Sequence, residues 1–332
     1  MSYLSQLQLD ILTVSILFYI KPKQLDVYCC CDNIMFQWFQ NVKNVEFYIK
    51  LRGQHQYLKD HDSGIAWAAK KGSQLLVNYF VSIIEEGDYH GIVGYNPKLA
   101  YNPAMAAAAQ KGHSHIVNQM LSLGATDYNM TMAFAARENR QDILNQMLVL
   151  GQLQPLFDYN WTMVEAAGGG HIEIIKLMLT LGADNYNQTM AAAAEKGYLN
   201  IINLMLNEAQ LKDSRGNRAE SIDCNRSLIF AAKGGHQKIV DMMLALGADD
   251  YDGAMAYAAD GGHIKIIQLM LDLGATDYDR AMAYAAGRGH IKIVQLMLDL
   301  GATDYDRAMT YAKEDKQIEI VTLLKKYLAK LF

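Results

Sequence analysis

A unit that recurs every 27 residues constrains this chain more than any other feature: DYDGAMAYAADGGHIKIIQLMLDLGAT at 250–276 is followed by DYDRAMAYAAGRGHIKIVQLMLDLGAT at 277–303. A period in this range predicts a solenoid, in which each unit packs only on its neighbours. Function is then to be sought on an extended surface built from many units.

The repeat can be followed through its loop tyrosine, at Tyr101, Tyr128, Tyr159, Tyr186, Tyr251, Tyr278 and Tyr305, with Cys224 in the equivalent place. Two intervals are lengthened, by insertions around 152–157 and 208–219. Such insertions cost little, because loop-closure entropy grows slowly with length.

Each unit reads as two short helices. The first carries small and apolar residues, as in Ala254-Met255-Ala256-Tyr257-Ala258-Ala259, and its alanines let one repeat approach the next closely. The second follows a Gly-His pair and places Ile264, Ile266, Ile267, Leu269, Met270 and Leu271 at helical spacing, giving a wide apolar stripe. Gly274 then ends the unit, since a glycine just past a helix can take the left-handed conformation that closes it. A hairpin of 27 residues cannot bury that stripe alone, so stacking is obligatory.

The run Ala285-Ala286, Gly289-His290, Ile291, Ile293-Val294, Leu296-Met297-Leu298 and Gly301-Ala302 resembles the second half of the ankyrin repeat. The resemblance extends over about residues 62–324 and implies an all-α, ankyrin-like helix-turn-helix solenoid that binds proteins. There are two departures. The family's unit is usually longer, and its TPLH signature is replaced by forms such as Arg280-Ala281-Met282-Ala283. The missing residues fall where the family carries its β-hairpin finger, which implies reduced fingers here. The DYD-AMAYAA-GGHI style is similar to that of ankyrin-like proteins from giant DNA viruses of amoebae, which implies action in a host cytoplasm.

With 332 residues, 51% hydrophobic and 20% charged, the chain can bury a large core. Net charge is −5, and acids gather at the repeat junctions, among them Asp127, Asp158, Asp184, Asp250, Asp277 and Asp304. A phosphate backbone needs clustered lysine and arginine, so nucleic acid is not an expected partner. The acids read first as turn formers near helix N-termini. Four cysteines, three of them at Cys29-Cys30-Cys31, give neither a disulfide framework nor a metal spacing, and point to a reducing, intracellular, cytoplasmic setting. The apolar stretch 11–20 is too short to span a bilayer and follows Asp10 rather than a basic region, so neither a membrane anchor nor a signal peptide is expected.

The first 60 residues do not fit the repeat. They hold an apolar helical pattern, a Lys-Pro-Lys break at 21–23, a second apolar stretch and the closing Asn44-Val45-Glu46-Phe47-Tyr48. This segment resembles a degenerate F-box, the module that docks substrate receptors on the Skp adaptor of cullin-type ubiquitin ligases. Aligned from Pro22, the residues Leu12, Ile16, Leu17, Tyr19 and Leu25 fall at that family's apolar positions, while its Leu-Pro opening is absent. The resemblance implies that these residues contact the adaptor. A helical cap over the exposed end of the first repeat is the other reading of the same pattern. The expected organisation is a small helical module at 1–60 and an array of about nine units at 61–332, acting as a monomer.

Positions that vary while the framework holds are candidates for partner contact. One set follows the loop tyrosine: Met130, Trp161, Gln188, Gly253, Arg280 and Arg307. Another lies between Ala-Ala and Gly-His, with Gln110-Lys111, Arg137-Glu138, Glu195-Lys196, Asp260-Gly261 and Gly287-Arg288. Trp161 and Arg280 are the leading anchors, because tryptophan and arginine dominate binding hot spots. The helix-one aromatics Phe134, Phe230, Tyr257, Tyr284 and Tyr311 read either as packing or as a recognition stripe.

No enzyme site can be assembled. His113, His171, His236, His263 and His290 occur once per repeat, so neighbours stand about 8–10 Å apart, too far to share a metal, and each is expected to bond backbone near the inter-helix turn. Gly168-Gly169-Gly170 lacks the Lys-Ser/Thr of a phosphate loop, and Glu314-Asp315 reads as a solvated turn. In the last repeat Lys316-Gln317 replaces Gly-His, and Lys325, Lys326 and Lys330 give the terminal unit a polar face. The expected function is therefore a protein-interaction scaffold without catalysis or cofactor. Three forms of it are distinguished: a substrate receptor of a ubiquitin ligase, a module that sequesters a host protein, and a virion-associated structural component.

Overall fold

The computed structural model describes residues 61–86, 98–151, 157–214 and 222–331. The readings made for Leu12, Ile16, Leu17, Tyr19, Pro22, Leu25 and Cys29-Cys30-Cys31 lie outside the described residues. The chain divides into two compact units, Met1–Phe157 and Asp158–Phe332.

The first unit contains α1 (His61–Lys71) with α2 (Gln74–Glu86), α3 (Lys98–Lys111) with α4 (Ser114–Ser122), and α5 (Tyr128–Arg137) with α6 (Gln141–Gly151). The second opens with α7 (Tyr159–Gly169) and α8 (Ile172–Thr180), then α9 (Tyr186–Lys196) and α10 (Leu199–Ser214), and α11 (Cys224–Gly234) and α12 (Gln237–Ala245). It continues with α13 (Tyr251–Gly261) and α14 (Ile264–Asp272), α15 (Tyr278–Arg288) and α16 (Ile291–Asp299), and α17 (Tyr305–Glu314) and α18 (Ile318–Leu331). Among the described residues every regular element is a helix, so the fold is an all-α solenoid of helix pairs. Part of the second insertion simply prolongs α10, which runs for 16 residues where its counterparts α12, α14 and α16 have nine.

Local chemistry sets the helix ends. Each first helix from α5 onward follows an Asp or Asn whose side-chain oxygen accepts the backbone N–H three residues on, as in Asp127 to Met130 at 3.0 Å, Asp250 to Gly253 at 2.9 Å and Asp277 to Arg280 at 3.1 Å. Such a cap satisfies one of the orphan donors of the first turn and contributes about 1 kcal/mol. From α5 onward the repeating tyrosine is thus the first helical residue, one step inside the helix rather than in the loop, because the Asp or Asn before it takes the cap. The junction acids are helix starters, as their position in the repeat implied.

First helices of successive repeats lie in close contact within each unit, whereas second helices touch their neighbours sparsely. Alanine makes this possible: Ala254, Ala256, Ala258 and Ala259 of α13 are fully buried, and so are Ala281, Ala283, Ala285 and Ala286 of α15. Most repeats then insert one methionine from each helix into the core, such as Met255 with Met270 and Met282 with Met297, all at 0% exposure. Burying a side chain of that size contributes about 1.5–3 kcal/mol, and the flexible thioether fills gaps between closely stacked backbones.

Two devices join neighbouring repeats within a unit. The second Asp or Asn of the DYD/DYN triplet reaches forward and accepts two backbone N–H groups of the following junction. Asp252 takes those of Thr276 (2.6 Å) and Asp277 (2.8 Å), and Asn225 takes those of Asp249 (2.7 Å) and Asp250 (3.0 Å). The same strut is made by Asn102, Asn160 and Asp279. It organises the segment where a longer repeat would carry a finger.

The second device is the Gly-His pair. Histidine stands at the start of the second helix without capping it, because its ring is turned toward the preceding repeat. Nε2 lies against a carbonyl oxygen there: His236 against Glu195 at 3.1 Å, His263 against Lys233 at 3.0 Å and His290 against Asp260 at 3.1 Å. The expected backbone bond exists, but it is a bond between repeats. Where histidine is replaced, Tyr198, Arg140 and Gln317 cover the preceding repeat's glycine in its stead.

Candidate functional site

The two variable sets and the aromatic set were separate in the sequence. On the helix they are i, i+4 and i+7, which is one face. In α15 these are Arg280, Tyr284 and Gly287; in α17 Arg307, Tyr311 and Glu314; in α13 Gly253, Tyr257 and Asp260. In the first unit Met130, Phe134 and Arg137 hold the same positions on α5, and Trp161 and Gln188 begin the face on α7 and α9.

In the second unit the aromatics of this face touch from repeat to repeat. Ring centroids of Phe230 and Tyr257 are 6.0 Å apart, those of Tyr257 and Tyr284 5.6 Å, and those of Tyr284 and Tyr311 6.3 Å. All four rings are half-buried, so the ladder packs the first helices together and still offers ring surface to solvent. The packing and recognition readings are therefore not alternatives.

Arginines flank the ladder on the N-terminal side. The Arg280 guanidinium carbon lies 5.7 Å from the Tyr284 ring centroid, and that of Arg307 lies 5.9 Å from Tyr311. Burial works against the Arg280 charge, but bonding to the Tyr284 hydroxyl and nearby Asp277 outweigh it and push the guanidinium pKa up. Arg280 is a half-buried clamp as well as a surface residue, whereas Arg307, Gln188, Arg137 and Arg288 are exposed and Met130 and Trp161 half-buried.

On the C-terminal side of the ladder an open groove of about 380 Å³ runs over Tyr257, Tyr284 and Tyr311. Its walls carry Lys233 and Asp260 at one end and Glu314 and Asp315 at the other. Arg288 crosses from one repeat to the previous one, its Nε donating to the Asp260 carboxylate at 2.7 Å. Lys233 is paired with Glu195 at 3.3 Å. Gly287 leaves the space between them: a Cβ there would come no nearer than 3.4 Å to another atom. Glu314 and Asp315, which read as a solvated turn, are exposed as expected and also form one end of this groove.

Gly261 departs from the expectation of a variable contact position. A Cβ on it would stand 2.1 Å from the Lys233 carbonyl oxygen, so it is needed for stacking. Gly234 is held the same way, 2.2 Å from the Glu195 carbonyl. The pattern of the single repeat does not single out the groove itself, because its shape comes from four successive repeats at once. The one signal available was Gly287, small where its neighbours carry Asp260 and Glu314.

Among the described residues no group of three His, Cys, Asp or Glu side chains could hold a metal ion, and no helix is long and apolar enough to cross a membrane.

Residues 190–281 match the family model of ankyrin repeats, in three copies. No curated protein matches the chain. Among solved structures, the ankyrin repeat domain of human ASB11 is similar over 52% of this chain and 84% of its own, at 21% sequence identity and a TM-score of 0.34. Over residues 190–281 the repeats are thus like ankyrin repeats, units that form protein-interaction modules.

Proposed function

We propose that this chain binds a partner protein along the exposed face of its first helices, with the aromatic ladder and the adjoining groove as the principal contact. One observation carries the reading: the positions that vary between repeats converge, together with half-buried aromatics, on one continuous face of the second unit. Half-exposed tyrosines flanked by arginines have the composition of protein-binding hot spots. A photo-crosslinking amino acid in place of Arg307 should yield polypeptide adducts in cell extract, while one in place of Lys292, on the outer surface of α16, should not. Equal labelling at both positions would defeat this reading.

The finer reading is that the bound protein is handed to a cullin-type ubiquitin ligase. It rests on the F-box-like pattern of Leu12, Ile16, Leu17, Tyr19, Pro22 and Leu25. A chain that holds a target on its repeats and an adaptor on its N-terminal segment acts by raising the effective concentration of target lysines near the ligase, without chemistry of its own. Sequestration of a host protein needs only the repeats and is the alternative.

A further inference from the structure

We propose that the groove over Tyr257, Tyr284 and Tyr311 takes a positively charged side chain, lysine or arginine, from the partner segment. The inference rests on the reading above that this face is where the partner binds. It adds the chemistry of what is bound.

Three independent features favour a cation there. The first is charge. Both basic side chains of the walls are already committed, Lys233 to Glu195 and Arg288 to Asp260. At the opposite end Asp315 acts on Arg288 only at longer range than an ion pair, and Glu314 is in no ion pair among the described residues. No lysine or arginine among the described residues stands within ion-pair distance of Glu314 or Asp315. An incoming ammonium or guanidinium would complete that pairing, and an incoming carboxylate would be repelled.

The second is the floor. Tyrosine rings attract cations to their faces through the ring quadrupole. These rings already do so within the chain, since Arg280 and Arg307 lie over Tyr284 and Tyr311 from the N-terminal side. The groove opens on the other side of the same ladder.

The third is the backbone. Groove residues Tyr257 and Asp260, Tyr284 and Arg288, and Tyr311 and Glu314 lie in the C-terminal halves of α13, α15 and α17. The C-terminal halves of three neighbouring helices therefore border the groove, and the negative ends of their dipoles favour positive charge beside them.

The test is selection of a random dodecapeptide phage library on the full-length chain, followed by fluorescence polarisation of the selected peptides. Two variants accompany the wild type: Glu314→Gln with Asp315→Asn removes the two acidic charges at exposed positions, and Gly287→Leu fills the groove. Selected peptides should carry lysine or arginine. Changing that residue to glutamine should weaken binding about fivefold to tenfold, as should the charge-removing pair. The two losses should not add, as expected of groups that meet. Gly287→Leu should abolish binding while the thermal transition stays in place. Selected peptides without a basic residue that Gly287→Leu still blocks would overturn the cation and leave the partner-binding face standing. Failure to select any peptide, or binding indifferent to Gly287→Leu, would overturn that face and the cation with it.

Discussion

Nε2 of His263 lies 3.0 Å from the carbonyl oxygen of Lys233 in the preceding repeat. The same imidazole ring covers Gly235 so closely that a Cβ on that glycine would stand 2.4 Å from its Cε1. The Gly-His signature therefore does its work across a boundary: the glycine of one repeat makes room for the histidine of the next.

This separates two costs that a positive φ alone would merge. Gly235 (φ +77°) and Gly274 (φ +103°) both adopt the left-handed conformation, but Gly274 has nothing within 4 Å of an added Cβ. Gly274→Ala should cost about 1–2 kcal/mol, from backbone strain. Gly235→Ala adds displacement of a packed ring and loss of its carbonyl contact, and should cost about 3 kcal/mol or more. Urea unfolding of the two full-length variants checks the ordering, and equal midpoints would contradict it.

The forward strut gives a second comparison. Asp252 accepts two backbone N–H groups of the next junction, and Asn225 does the same one repeat earlier. A neutral amide oxygen therefore suffices. Asp252→Asn should change stability by less than about 0.5 kcal/mol, while Asp252→Ala should lose about 1–3 kcal/mol by orphaning both donors. A loss in the asparagine variant as large as in the alanine one would mean that charge carries the strut.

Much of this was legible in the sequence, and what was not has a common cause. The 27-residue period, the Ala-rich first helix, the apolar stripe of the second and the glycine stop are local patterns, and each marks an element that formed. The role of Asp252 was hidden because its partners lie 24 and 25 residues ahead, and the histidines' partners 30 or more residues behind. The candidate contacts were visible as variation, but variation does not distinguish Arg307, exposed at the surface, from Gly261, locked against a backbone oxygen. Only stacking decides between them.

Tyr101 shows the opposite of a strut. It is 2% exposed, and its hydroxyl has no hydrogen-bond partner. A buried hydroxyl without a partner carries its desolvation cost uncompensated. Tyr101→Phe should therefore raise stability by about 1 kcal/mol, seen as a higher urea midpoint with an unchanged slope. A loss of stability would show that the hydroxyl is satisfied in solution.

His113 makes the first unit sensitive to acid. Burial holds its pKa below the ordinary 6.5, and the charges of His115, Arg140 and Lys111 act in the same direction against a bond to the Lys70 backbone. In the unfolded chain the ring regains its ordinary value. As pH falls through about 6.5 the unfolded state takes up the proton first, so stability present at neutral pH is lost toward the depressed folded value. Between pH 7.5 and 5 the wild type should lose more stability than His113→Gln, measured by urea unfolding at each pH. Parallel losses would place the sensitivity elsewhere.

The N-terminal segment is open to a test that uses the intact protein. Under the F-box-like reading, Leu12 and Leu25 are spent on an adaptor, so Leu12→Asp with Leu25→Asp should remove Skp-type adaptor and cullin peptides from an affinity purification. The crosslinks formed from position 307 should persist, because the repeats stack only on their neighbours. Under the capping reading the same leucines cover the end of the first repeat. The pair should then lower the thermal transition by several degrees, since an exposed apolar end loses its burial, and no adaptor should be recovered from the wild type either. The two readings thus predict opposite pairs of results from one double variant, and adaptor recovery from wild type decides for the ligase.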